Sequence, residues 1–285
     1  WWNTWYNELK NFYQFFIDIA IDEGVDAMEI GPTLFGADLP LSQDIPDSIN
    51  ATKKWQEILT IVKSAEIPIG FGLSTFSALW EIQPPFLASE VNFYNELDYI
   101  GISLWSELVD FQNPTQDDFN SAMERVFQQV DIIHNQTGLP VVFTQVSYPS
   151  NTGAGLEVSP ETALLYEDPD LTTFEYNPFE QAMIYEAFMR GVANRSYVQG
   201  SFPFGYWYLD APLTVDDPSI RGKMAEIIYS DWLERLPNSQ NVEIMKSLNL
   251  KINKSRSIET DFKLTNQFFL MTNRKFSFFN KIKLL

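Results

Sequence analysis

The chain has 285 residues, 45% hydrophobic and 20% charged, enough to bury the core of one large α/β domain. Its formal charge of −19 argues against nucleic acid or an anionic membrane as partner, because such a surface repels phosphates. With no cysteine and a single histidine, thiolate and multi-histidine metal sites are excluded, as is any nucleophile–histidine pair that does not use His134.

The chain opens at Trp1 and Trp2 without an initiator methionine and enters an amphipathic helix at 4–22, so a processed chain or a piece of a longer one is expected. From there to residue 236, helical stretches alternate with short β-branched runs, the pattern of βα units around a parallel sheet. A strand is read at 25–31, a helix at 50–65, a strand at 67–75 and a helix at 86–97. Strands at 98–105, 139–146 and 201–209 follow, with helices at 115–136, 178–195 and 218–235. The turns "EGVD", "EIP" and "TGLP" carry the Gly or Pro that ends each preceding helix. His134 falls in a polar stretch near a helix end and reads as a surface residue, and Trp55 on a helix face reads as core. No run of about 18 apolar residues occurs, so no membrane insertion is expected.

Strict alternation along each strand assigns an inner side. It puts Glu29, Gly31 and Thr33 inward on the first strand, with Met28 and Ile30 toward the helices. On the third strand Tyr99, Gly101, Ser103 and Trp105 point inward, and on the fourth Phe143, Gln145 and Ser147 do. From about Pro237 the composition changes. Residues 237–285 hold nine Lys/Arg against three Asp/Glu and no further Gly or Pro, so this basic, Asn/Lys/Phe-rich tail is expected to pack poorly and carry no site, with a basic arm for an acidic partner as the alternative.

The blocks "FYQFFIDIAIDEGVDAMEIGPTL", "NFYNELDYIGISLWSEL", "TGLPVVFTQVSYPS", "FEQAMIYEAFMRGV", "GSFPFGYWYLD" and "DPSIRGKMAEIIYSDWLERL" occur in an order that resembles glycoside hydrolase family 113 over residues 4–236. The resemblance implies a (β/α)8 TIM barrel acting on β-mannans by a retaining mechanism, of which residues 1–236 would hold strands four to eight, about five βα units. It also implies an oligo- or polysaccharide partner and no cofactor or metal. With the absence of cysteine, it points to an extracellular or cell-surface setting. The family's fourth strand ends in Gly-x-Glu, matched by Gly31, Pro32 and Thr33, and its seventh in Glu-x-Gly-Tyr, matched by Gln145, Val146, Ser147 and Tyr148. Both catalytic glutamates are thereby replaced.

Retaining hydrolysis needs one carboxyl as nucleophile and one as acid/base. A threonine at 33 and a glutamine at 145 can supply neither, so impaired or absent hydrolysis is expected unless another acid has taken over. Glu29 is the first candidate, since an inward glutamate must be paired or have a raised pKa. Its alternative is a structural carboxylate bonded to serines or tyrosines of adjacent strands. Glu81, Glu107 and Asp210 lie in loops and are candidates of the same kind, with solvated carboxylates as the alternative. Trp80, Trp105, Tyr148 and Trp207, with Asp210, are expected as substrate-binding residues, aromatic faces being able to stack on sugar rings; core packing is the alternative. "EDPD" and "VDD" read as calcium-binding or solvated turns, and "GFGLST" lacks the spacing of a dinucleotide site. Three readings stay open: a saccharide-binding barrel with little hydrolysis, an active hydrolase with relocated acids, and a scaffold that binds no sugar.

Overall fold

The structure is a computed structural model that describes residues 1–31, 50–74, 93–156, 176–205 and 218–236. Five strands, β1 (Met28–Ile30), β2 (Ile69–Ser74), β3 (Tyr99–Leu104), β4 (Val141–Val146) and β5 (Val198–Pro203), form one sheet in the order β1-β2-β3-β4-β5. All four pairings are parallel. Parallel neighbours in chain order require a crossover between each pair, and helices α2 (Ala51–Val62), α3 (Gln116–Thr137) and α4 (Pro178–Ala193) lie in three of those connections. Helices α1 (Trp2–Asp22) and α5 (Met224–Arg235) flank the set. This is the strand order of a (β/α) barrel, seen over part of its circumference.

The expected elements are present with adjusted ends. The fifth strand starts at Val198 rather than 201, and the last helix at Met224 rather than 218, because the segment before it turns at Gly222 with φ +73°. Of the helix expected at 86–97, the described part is a single 3₁₀ turn at Tyr94–Glu96. Local chemistry sets the other ends. Thr115 and Asp118 form a reciprocal capping box on α3, and Gly138 in the left-handed region closes it; Asn177 caps α4, with Pro178 in its first turn.

The main core lies between sheet and helices. Ile30, Phe71, Ile100, Ile102, Leu104, Val141 and Phe143 are all fully buried and pack on aromatic residues of the helical layer. Phe143 meets Phe127 of α3 and Phe188 of α4 at 5.4 and 5.0 Å between rings. Phe71 meets Trp55 of α2 at 5.2 Å, which makes Trp55 core as expected. Phe143 therefore faces the helices, which corrects its inward assignment; a bulge described below breaks the alternation.

His134 is half-buried rather than a surface residue. Its Nδ1 lies 2.8 Å from the Leu139 carbonyl and its ring stacks on Tyr197 at 4.1 Å. Beside it, Arg195 spans α3, donating to Asp131 at 2.9 Å and Glu124 at 2.8 Å while its guanidinium sits over the Phe127 ring. Burial pushes the Asp131 pKa up, but the bonds from Arg195 and Tyr197 outweigh it and hold the carboxyl below its ordinary value.

α3 and α4 approach closely because Gly191 has no side chain. A β-carbon there would lie 2.1 Å from the Phe127 ring. Gly191→Ala is expected to lower stability by about 1–3 kcal/mol in urea unfolding, since overpacking outweighs the roughly 1 kcal/mol that alanine gains in helix propensity. A stabilised variant would show that the Phe127 ring can move aside.

Candidate functional site

The concave side of the sheet is lined from its lower end by Glu29, Gly70 and Tyr99, which sit side by side in register. Two of its glycines make room for larger neighbours. A β-carbon at Gly70 would meet the Tyr99 ring at 2.1 Å, and one at Gly101 would meet Oε2 of Glu29 at 1.6 Å. The carboxyl of Glu29 thus leans over β3 and reaches β4, where Thr144 Oγ1 donates to Oε1 at 3.3 Å. In a flat sheet β1 and β4 would stand about 14 Å apart, three strand spacings. A direct side-chain bond between them requires the sheet to curl around its interior, as a barrel does.

Glu29 as a residue is half-buried, but its Oε2 is wholly removed from solvent and has no hydrogen-bond partner among the described residues. Desolvation of the carboxyl pushes its pKa up to about 8, against a smaller opposing effect of the Thr144 bond. At neutral pH Glu29 is therefore mostly a neutral carboxylic acid. It can donate a proton or a hydrogen bond but is no nucleophile. Tyr99 has its pKa raised by burial first, then by the nearby Glu29 and Asp98 charges, and stays a neutral phenol.

Above this layer β4 carries one extra residue. Gly101 pairs with Val142 but Ser103 with Gln145, and on the other side Phe143 pairs with Ser201 but Val146 with Pro203. Against β3 the excess falls between Val142 and Gln145 and against β5 between Phe143 and Val146, overlapping intervals that define a bulge in β4. Its consequence is that two successive residues face the interior: Thr144, bonded to Glu29, and Gln145, beside Ser103 on the face that Gly101 shares. Gln145 is thus inward, as expected from alternation, though the alternation itself is broken. Thr144 was missed for the same reason, and no local sequence signal marks the bulge.

Tyr148, expected to offer a stacking face, is 2% exposed with its hydroxyl on the Ser106 carbonyl, so it is part of the packing. Trp105 is half-buried just beyond the end of β3. Glu107 borders a cleft of about 440 Å³ formed with α3, together with Asp110, Asp118 and Arg125. Thr33, Trp80, Glu81, Trp207 and Asp210 lie outside the described residues, as do "EDPD", "VDD" and the tail. Among the described residues no cluster of three acidic or histidine side chains could hold a metal ion, and no helix is long and apolar enough to cross a membrane.

The interior therefore combines a neutral acid, a neutral amide and hydroxyls on a curled parallel sheet, and solved structures share this frame. A glycoside hydrolase family 113 β-1,4-mannanase is similar with a TM-score of 0.54 and 20% identity, over 82% of this chain and 64% of its own. The family 113 β-mannanase of Alicyclobacillus acidocaldarius is similar with a TM-score of 0.55 and 15% identity, over 82% and 63%. The fold is that of a glycoside-hydrolase-type (β/α) barrel, and the chain spans just under two thirds of the length of these enzymes. No protein-family model and no curated protein sequence matches the chain.

Proposed function

We propose that this chain is a carbohydrate-binding barrel of glycoside-hydrolase type, divergent from family 113, in which retaining hydrolysis is impaired or absent. The observation that supports this reading most is Gln145 itself: a neutral amide on the concave face, beside Ser103 at the end of β4, at the position that the resemblance matches to the nucleophile. An amide can bind a sugar hydroxyl as donor and acceptor, but it cannot form a glycosyl ester. Thr33 at the acid/base position has the same deficiency. Trp105, with Trp80, Trp207 and Asp210 from the adjoining segments, would supply stacking and polar contacts. The ligand is a β-linked manno- or gluco-oligosaccharide, residues 1–236 are the barrel domain, and 237–285 is a dispensable appendage.

A second reading has one observation in its favour. Glu29 is an interior carboxylic acid that holds its proton at neutral pH, as a general acid must. In that reading the chain hydrolyses its substrate slowly with Glu29 as donor, and Glu29→Gln abolishes the activity.

Calorimetric titration with β-1,4-linked manno- and gluco-oligosaccharides tests the binding claim. Weak binding is expected, with a Kd near the millimolar range, about −4 kcal/mol, and its loss on Trp105→Ala. Absence of heat with every sugar, and of any change in tryptophan fluorescence, would leave the chain a scaffold.

A further inference from the structure

The end of β4 is gripped from the helix side by two side chains one turn apart on α4. Tyr185 donates its hydroxyl to the Val146 carbonyl at 2.8 Å, and Gln181 Nε2 donates to the Tyr148 carbonyl at 2.8 Å and to the Pro218 carbonyl at 3.2 Å. Both side chains are fully buried. Spacing of four residues puts them on one face of the helix, aligned along the strand end they hold. The Val146 carbonyl also accepts from the Phe204 N–H at 2.8 Å, and Ser147 donates its N–H to Leu104 at 2.9 Å.

These bonds fix the backbone immediately after the bulge. At an extra residue the ladder is locally interrupted, so regular strand pairing does not by itself determine where the side chain of residue 145 points. Volume alone does not explain the two side chains either. Phenylalanine at 185 and methionine at 181 would fill nearly the same space, but would leave buried carbonyls without those donors. The polar atoms thus act on the backbone at 146 and 148, on the C-terminal side of Gln145.

We propose that Tyr185 and Gln181 are positioning residues, a clamp from α4 that fixes the bulged end of β4 and so sets the direction in which the side chain at 145 enters the barrel interior. The clamp rests on the proposed function only for the claim that position 145 faces a saccharide.

The test uses the full chain and needs no sugar. Gln145→Glu introduces a carboxyl whose ¹³C resonance, identified by difference from the parent, reports its surroundings through its titration midpoint. Adding Tyr185→Phe, which removes only the hydroxyl, is expected to move that midpoint by about half a pH unit or more. Tyr197→Phe, at the opposite end of the sheet where its hydroxyl contacts Asp131, is expected to lower the melting temperature and leave the midpoint in place. If Tyr185→Phe changes only the melting temperature, as the control does, the clamp is overturned. Should that variant not fold, Gln181→Met is read in the same way: a moved midpoint supports the clamp and an unmoved one overturns it. A moved midpoint in a protein that binds no oligosaccharide would keep the clamp and remove the saccharide reading.

Discussion

Placing glutamate at both substituted positions, Thr33→Glu together with Gln145→Glu, is expected to raise hydrolysis of β-1,4-manno-oligosaccharides by roughly three orders of magnitude or more over the parent. Members of a two-carboxylate unit act together, and losing either typically removes most of the rate, so neither single change should recover much of it. The expectation draws on two observations of different kind. Gln145 lies on the concave face at the C-terminal end of a barrel strand, where catalytic groups of this fold are carried. Thr33 is the residue that the resemblance matches to the acid/base. A double variant that folds, binds oligosaccharide and is no faster than the parent would mean that position 145 is not where the reacting carbon sits. A parent that is already fast, and is silenced by Glu29→Gln, would transfer the chemistry to Glu29.

The second large effect is on stability, and it comes from Glu29. The folded protein holds this proton up to about pH 8, whereas the unfolded chain releases it near 4.5. Between those values the folded state binds more protons than the unfolded state, so stability is complete below the lower value and is lost as pH rises through the upper one. One pKa unit corresponds to about 1.4 kcal/mol, which sets a ceiling of about 5 kcal/mol on the effect. Glu180, whose pKa is also raised by burial, contributes in the same direction. The informative quantity is therefore the difference between the parent and Glu29→Gln, a neutral side chain at every pH. The variant is expected to be slightly less stable at pH 5, where its amide N–H groups lack acceptors beside Gly101, and clearly more stable at pH 9. Parallel stability curves from pH 5 to 9 would show that the carboxyl is solvated in the folded state.

The sequence by itself determined the kind of architecture and most of its elements. Alternation of helical and β-branched runs, with turn residues such as Gly138 at the breaks, is a local property, and the parallel sheet with its helical layer follows from it. Ile100, Ile102 and Leu104 could be assigned to the helix side because β3 runs without interruption through them. Glu29 could be singled out as an inward carboxyl that must be paired or protonated, from its parity alone. Tertiary structure decided what parity cannot carry. An extra residue in β4 turned Phe143 outward, brought Thr144 to Glu29 and kept Gln145 inward; a bulge is defined by the register of two neighbouring strands, which no stretch of β4 encodes alone. The same holds for the seat of Glu29 over Gly101 and for the burial of Tyr148. Each depends on what residues far away in the chain leave open or fill, and so on how the sheet curls.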